Sequence, residues 1–409
     1  MHKADFFKDA RYDLSGPLSG VRVLEATTSW AGPMCGCLLA DLGADVIKVE
    51  AVDGEVARKL PPYLTGETGR ISFLHATVNR NKRSLTLDLR QSEGRDIFLK
   101  LAARTDIVIE NFRPGTVDKW GIGYRHCRQV KSDIIYVSIS GFGQFGPDHD
   151  RPGYDPLAEA ESGFMSLNGA PEGSPTRCAT YLCDDLAGLH GALSAVAALR
   201  HRDLTGEGQH IDIALLDSVL FQSNGLLSLA ALGHPLPRLG NRSMLSAPVD
   251  AFECRDGLIY LAVLLDSHWR VLSRILGREE LADDPRFATA TARLAHREDC
   301  NSLLRPWLKA QTVAEVVDRF NRAGIPAARV RTYHEASTDP HVLERDMLQN
   351  VEQEDGKTAP ITGPAAKFSR TPLRIRRRAA ALGEHNDEIL AEIGYDAARR
   401  ERLRAIKVI

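Results

Sequence analysis

Two adjacent carboxylates, Asp184 and Asp185, stand where a loop gives way to a long apolar stretch, in TYLCDDLAGLHGALSAVAALRHRDLTGEGQHIDIA over residues 180–214. An Asp at a helix start has two uses. As a cap it accepts hydrogen bonds from the N–H groups of the first turn, and the helix dipole favours its charge. As a nucleophile it must be ionised to attack an acyl group, and the same dipole keeps it ionised at neutral pH. The residues alone choose neither between these uses nor between Asp184 and Asp185. Cys183 invites thiol chemistry, but no His stands beside it in sequence to take its proton.

The elements around this pair follow from periodicity. Leu186, Leu189, Leu193, Val196 and Leu199 recur at helical spacing, and Ala187, Gly191, Ser194, Ala195 and Ala198 fill the opposite face, so the pattern predicts a helix covered on all sides. Upstream, a strand at Val21–Leu24, a helix at Gly32–Leu42 and a strand at Asp45–Val49 make a β-α-β unit, with Pro33 suited to the first helical turn. The turn between them, TTSWAGPMCG, holds no G-x-G-x-x-G and so no dinucleotide phosphate cradle. The basic, amide-rich stretch Asn79–Ser84 reads either as a solvated turn or as a phosphate contact before an alternating strand at Leu85–Leu89.

After a helix at Ser92–Ala103, the strand Asp106–Glu110 runs into Asn111-Phe112-Arg113-Pro114-Gly115, and open α/β sheets bind ligands at such carboxyl ends. A strand at Ile134–Ile139 leads to Gly141-Phe142-Gly143-Gln144-Phe145-Gly146, a literal G-x-G-x-x-G. Pro147 and Pro152 follow where a dinucleotide site needs a helix. Gly356-Lys357-Thr358 fails as a P-loop because Val351 holds the place of the leading Gly.

Beyond residue 220 the texture changes to a Gly- and Pro-rich crossing at Leu232–Asn241, a hairpin of Ala251–Cys254 and Leu258–Leu264, and helices at Ser267–Leu276, Arg297–Ala310 and Val313–Ala323. The expected fold is α/β: a large Rossmann-like open-sheet domain from N- and C-terminal segments, residues 1–220 and 343–409, plus a smaller α+β domain at 221–342. Arg374–Arg378 reads as a solvated connection, and Gly383-Glu384-His385-Asn386 as the start of the final helix.

Composition narrows the function classes. A net charge of -2 over 409 residues gives no nucleic-acid footprint. No apolar run reaches the ~18 residues of a membrane span, and the first residues lack a secretory core, so the expectation is a cytoplasmic protein that engages no membrane. The seven cysteines are an odd number without C-x-x-C spacing, which predicts free thiols and no metal site.

Read together, Asp184-Asp185-Leu186-Ala187-Gly188-Leu189-His190 and Thr205-Gly206-Glu207-Gly208-Gln209-His210-Ile211-Asp212-Ile213 resemble the signature of the family III CoA-transferases, the CaiB/BaiF or formyl-CoA and carnitine CoA-transferase type. In that family the nucleophile is the Asp four residues before the helix Gly, which with Gly188 selects Asp184. Ala31-Gly32-Pro33 and Leu42–Glu50 look like the family's opening motif, which implies that Ser29 and Trp30 line the acyl and thiol end of CoA. Asn79–Ser84 is similar to its N-x-N-K-R-S motif, and Leu87, Asp88, Leu89 and Arg90 would flank the adenosine. By the same resemblance Asn111, Phe112 and Arg113 touch CoA. Lys119 replaces an Arg that faces the nucleotide phosphates, and it keeps the charge without the two-pronged geometry. The loops at Gly141–Gly143 and Gly240–Asn241 would shield the acyl group, although Arg242-Ser243 departs from the commoner His-Pro.

The resemblance spans about Leu18 to Tyr395 and implies an interlocked homodimer. The implied activity moves CoA from an acyl-CoA donor to a free carboxylic acid through an aspartyl anhydride and an aspartyl-CoA thioester. Acyl-CoA and CoA are then substrates, and no tightly bound cofactor or metal is needed. The alternative within the superfamily is a 2-methylacyl-CoA racemase, which uses a His where this chain has Tyr154, and a phenol of pKa ~10 is a poor base at neutral pH. An NAD oxidoreductase and a non-catalytic CoA-binding protein are the more distant readings. The acyl pair is not legible; Arg177 reads as a surface residue or as a partner for a second carboxylate.

Overall fold

The computed structural model describes residues 1–65 and 69–409. Short Val-, Ile- and Leu-rich runs form β1 (Arg22–Ala26), β2 (Asp45–Glu50), β3 (Lys82–Thr86), β4 (Ile107–Glu110), β5 (Ile135–Ser140) and β6 (His210–Ala214). They pair in parallel in the order β3-β2-β1-β4-β5-β6. This is the doubly wound order, and it reverses between β1 and β4, which opens a crevice at their carboxyl ends.

Parallel strands need crossovers, and helices accordingly cover both faces. On one face Val23, Val46, Ile109 and Val137 pack with helices α1 (Ala31–Asp41) and α4 (Leu182–Thr205). Leu24, Ile47, Leu85 and Val108 point the other way, against α2 (Ser92–Ala102) and against Ile389 and Leu403 of α9 (Asn386–Glu392) and α10 (Ala397–Ala405). Two shorter helices, α3 (Asp155–Glu161) and α5 (Leu215–Phe221), flank α4. Residues after 385 thus complete one wall of the first sheet, and α9 is followed by α10 rather than ending the helices.

The α4 helix is covered along its small-residue side and left open on the other at Leu189 and Leu193, while Leu199 is buried and Leu186 and Val196 pack on the core. A Cβ on Gly188 would lie 2.8 Å from Met34 Cγ and 3.0 Å from the Ala31 carbonyl oxygen, and one on Gly191 would lie 3.0 Å from Cys35 Sγ. These contacts let α4 lie close on α1 and bury its Ala and Gly stripe. Leu189 and Leu193, expected inside, are 51% and 63% exposed. By length and composition α4 is apolar enough to cross a membrane, with mean hydropathy 1.3, contrary to the run-length reading. Its buried stripe against the sheet and α1 makes it a core helix of this domain.

Two basic stretches also differ from expectation. β3 begins at Lys82 rather than Leu85, and Asn79–Ser84 is buried. Arg80 pairs with Asp41 at 2.6 Å, Lys82 with Glu25 at 2.8 Å, and Arg83 with Asp45 and Glu392, each at 2.6 Å. The stretch is neither a solvated turn nor a phosphate contact, because carboxylates far away in sequence already hold its charges. Arg374–Arg378 is likewise docked: Arg376 donates to the Ser15 and Ala40 carbonyls at 2.9 and 2.8 Å, and Asn81 Oδ1 accepts the Arg376 N–H at 2.6 Å.

The chain divides into two compact units, one of residues 1–164, 178–231 and 340–409, the other of residues 165–177 and 232–339. The sequence reading drew its boundaries after residues 220 and 342. In the second unit an antiparallel sheet of β7 (Val249–Cys254), β8 (Gly257–Ala262) and β9 (Ala327–Arg329) packs with α6 (Asp266–Ile275), α7 (Arg297–Lys309) and α8 (Val313–Arg322) around Trp269, Leu304 and Phe320.

Candidate active site

The crevice at the switch point is built by the residues that leave β1 and β4. Asn111 ties the two strand ends together, its Oδ1 accepting the Thr28 N–H and its Nδ2 donating to the Thr28 carbonyl, both at 2.8 Å. Ser29 follows in left-handed backbone, φ 66°, which a non-glycine residue adopts only where its surroundings hold it. Glu55 does so: its Oε2 accepts the Ser29 N–H at 3.0 Å and the Thr28 hydroxyl at 3.3 Å. Burial opposes the Glu55 charge, but Lys48, His75 and the Ser29 N–H outweigh it and hold the carboxyl well below the usual range. Beneath lies a buried ionic cluster in which Glu25 accepts from both Lys48, at 3.2 Å, and Lys82, at 2.9 Å.

Ser29, Trp30, Asn111, Phe112, Arg113 and Asp184 share one cavity of about 220 Å³, which Gly141 and Tyr154 also line. A second cavity of about 790 Å³ shares Thr28 and Phe112 with the first and is lined further by Leu87, Asp88, Leu89 and Arg90. Every expected CoA contact except Lys119 therefore falls on one of these two neighbouring cavities. Lys119 lies exposed on the turn of helix 116–120, and it is Trp120 that reaches the larger cavity.

The two aspartates are separated by what they touch. Asp185 Oδ1 accepts the Trp30 indole N–H at 2.6 Å, which orients the ring against Tyr181. Asp184 lines the smaller cavity, and among the described residues its carboxylate has no hydrogen-bond or ion-pair partner. Neither one caps α4. Asp155 does, its Oδ1 accepting the N–H of Cys183 at 2.7 Å and of Asp184 at 3.3 Å.

The helix start does not hold the Asp184 carboxyl in the usual carboxylate range. Burial, then the nearby Asp155 and Asp185, push its carboxyl up to about 8. Desolvation and two like charges outweigh the dipole. Cys183 is buried and its thiol is pushed up by that burial, which removes it as a nucleophile. All seven cysteines are free, and among the described residues no group of three His, Cys, Asp or Glu is placed to hold a metal.

The Gly-rich loop after β5 is used for close approach. A Cβ on Gly141 would lie 2.4 Å from the Gly153 Cα, so two backbones cross here and bring Gly141 and Tyr154 to the cavity together. The N–H of Gly143 goes to Ser140 Oγ at 3.0 Å and that of Gln144 to Asp212 Oδ2 at 2.9 Å, which leaves no phosphate cradle. Gly240, Asn241 and Arg177 belong to the second unit, where the first two line a separate cleft of about 850 Å³. Sequence reasoning missed Glu55 and Asp155. Asp155 stands before Pro156 at the start of α3, a legible helix-start signal, but nothing in that spacing says that it caps a different helix.

The first unit is thus a doubly wound α/β domain with a two-chambered ligand crevice at its switch point and an unpartnered carboxylate in the smaller chamber. The chain belongs to CoA-transferase family III, whose model matches residues 18–386. It is 38% identical to the succinate–glutarate CoA-transferase of Agrobacterium fabrum, over 92% of this chain and 96% of that one. It is also 38% identical to the succinyl-CoA–L-malate CoA-transferase beta subunit of Chloroflexus aurantiacus, over 92% and 94%. The crystal structure of a CaiB/BaiF family protein from Brucella suis superposes with a TM-score of 0.83 at 35% identity, over 93% of this chain and all of that one. The protein is a CoA-transferase of this family.

Proposed function

We propose that the protein transfers CoA from an acyl-CoA to a free dicarboxylic acid, with Asp184 as the nucleophile. The observation that carries this reading is the isolation of Asp184: it is the one carboxylate lining the smaller cavity, and nothing in the described chain engages it. In this reading the thioester end of the substrate enters the smaller cavity and the nucleotide end the larger.

The ionised Asp184 attacks the thioester carbonyl, and CoA leaves as the thiolate, giving a mixed anhydride. The thiolate then attacks the Asp184 acyl carbon and displaces the donor acid, leaving an aspartyl-CoA thioester. The incoming carboxylate attacks that thioester, releases the thiolate and forms a second anhydride. The thiolate finally takes the new acyl group and frees Asp184. One thioester is exchanged for another, so the transfer needs no energy source. The anhydrides are prone to hydrolysis, which is why a half-buried nucleophile in a cavity suits the chemistry.

A dicarboxylic acceptor is supported by the relatives above, and by a 36% identical succinyl-CoA:mesaconate CoA-transferase of Haloarcula marismortui. Arg113 and Arg151 line the same small cavity as Asp184 and supply positive charge for the second carboxylate. Arg151 is paired with Glu161 at 2.5 Å and Asp148 at 3.2 Å, whereas Arg113 has no carboxylate partner among the described residues. The exposed Leu189, Leu193 and Phe221 on α4 and α5 support a homodimer, in which a second copy covers the face that one chain leaves open. The racemase reading is not favoured, since the relatives carry transferase names and Tyr154 stands in place of a His.

Incubation with succinyl-CoA and hydroxylamine, followed by peptide mass spectrometry, tests the nucleophile. A hydroxamate on Asp184 is expected; turnover with Asp184 unmodified would overturn the assignment. A panel of mono- and dicarboxylic acceptors tests the substrate class.

A further inference from the structure

The larger cavity has a charge pattern that the proposed chemistry leaves unused. Its acidic lining residues are Glu50, Asp53, Glu55 and Asp88, and its cations are Arg90 and Lys407. Arg90 is folded back onto Asp88, with Nε at 2.8 Å and Nη2 at 3.1 Å from its carboxylate oxygens. Lys407 has no ion-pair partner among the described residues. It is therefore the one lining cation whose charge is not already neutralised by a carboxylate among the described residues.

Lys407 is also held in place by more than its own helix. Its backbone is left-handed, φ 57°, a region that L side chains rarely adopt. Gln91 Nε2 donates to the Lys407 carbonyl at 3.2 Å, and the Asp88 N–H donates to the Val408 carbonyl at 2.8 Å. Val408 and Ile409 are buried in the core beneath the sheet. The chain is thus anchored on both sides of Lys407, beside the same Leu87–Arg90 segment that lines the cavity. The lining carboxylates are each paired with a cation, Glu50 with Arg58, Glu55 with Lys48, Asp53 with Lys59 and Asp88 with Arg90, so a polyanionic ligand entering this cavity meets Lys407 as its unpaired charge.

We propose that Lys407 binds a phosphate of the CoA nucleotide, the role that the family resemblance implies for Lys119. This inference rests on the reading of the larger cavity as the nucleotide chamber. It adds a binding residue from a segment about 290 positions beyond Lys119, brought in by the fold.

The test uses three variants and two readouts. Lys407→Gly removes the ammonium group and suits the observed φ, so lost affinity cannot be assigned to backbone strain. Lys407→Glu reverses the charge, and Lys407→Arg retains it. The expected result is an acyl-CoA KM raised about tenfold in Lys407→Gly, further in Lys407→Glu and little in Lys407→Arg, with kcat and the acceptor KM within about twofold of the parent. Isothermal titration with CoA alone should follow the same order, and the salt dependence of binding should become shallower when the charge is lost. Lys407→Gly and Lys407→Glu proteins that bind CoA as tightly as the parent would overturn the inference while normal turnover leaves the transferase chemistry standing. A parent that binds CoA in a Lys407-dependent way, yet labels no Asp184, would sink the nucleophile and leave this inference intact. A parent that binds no CoA would sink both.

Discussion

Asp184 combines two properties that oppose each other: an unpaired position, which chemistry needs, and a raised pKa, which works against its ionisation. With Asp184 as the proposed nucleophile, attack needs its carboxylate, so kcat/KM should rise with pH along a limb whose midpoint approaches the value of about 8 set by burial, Asp155 and Asp185. Asp155→Asn keeps an oxygen for the α4 N–H groups and removes a like charge, so the limb should move to lower pH; a limb that stays put would refute the coupling. The same shift has a stability consequence. A carboxyl whose folded pKa lies above its unfolded value stabilises the protein fully below the unfolded value, near pH 4, and that contribution is lost as pH rises through about 8. Asp184→Asn should therefore be more stable than the parent at pH 9, by on the order of 2 kcal/mol in urea unfolding. Its transfer rate should fall by about a thousandfold or more.

At the scale of elements, glycines decide how closely α1 approaches its neighbours. A Cβ on Gly36 would lie 1.7 Å from Glu25 Oε2 and 3.2 Å from Lys82 Nζ. Gly36→Ala should separate a buried carboxylate from its lysines and destabilise the protein by about 3 kcal/mol or more; a wild-type melting temperature would contradict this account. Strands β1 to β5, β7 and β8 and helices α1, α2, α4, α6, α7 and α8 were legible within a few residues because apolar periodicity is a local signal, whereas β9, α3, α5 and α10 were not. The Asn79–Ser84 stretch was not. Its charges are neutralised by Glu25, Asp41, Asp45 and Glu392, and no window of sequence contains both halves of those pairs. A buried ion pair and a solvated basic turn are written with the same letters.

For the whole molecule, the open question that a single chain poses is what covers the leucines of α4. If a second copy does, Leu193→Glu should shift the sedimentation coefficient from dimer toward monomer, at a cost in thermal stability only where the dimer is populated. A parent that sediments as a monomer would remove this reading. By itself the sequence determined the class of fold, the helix that carries the carboxylates and the family motif that singles out Asp184, since each is written in contiguous residues. Tertiary structure decided that Trp30 engages Asp185 and leaves Asp184 open, that Asp155 caps the helix, that burial with Asp155 and Asp185 raises the Asp184 carboxyl, and that Lys407 rather than Lys119 lines the larger cavity. Burial and long-range charge pairing are properties of residues far apart in the chain, and only folding brings them within a few ångströms.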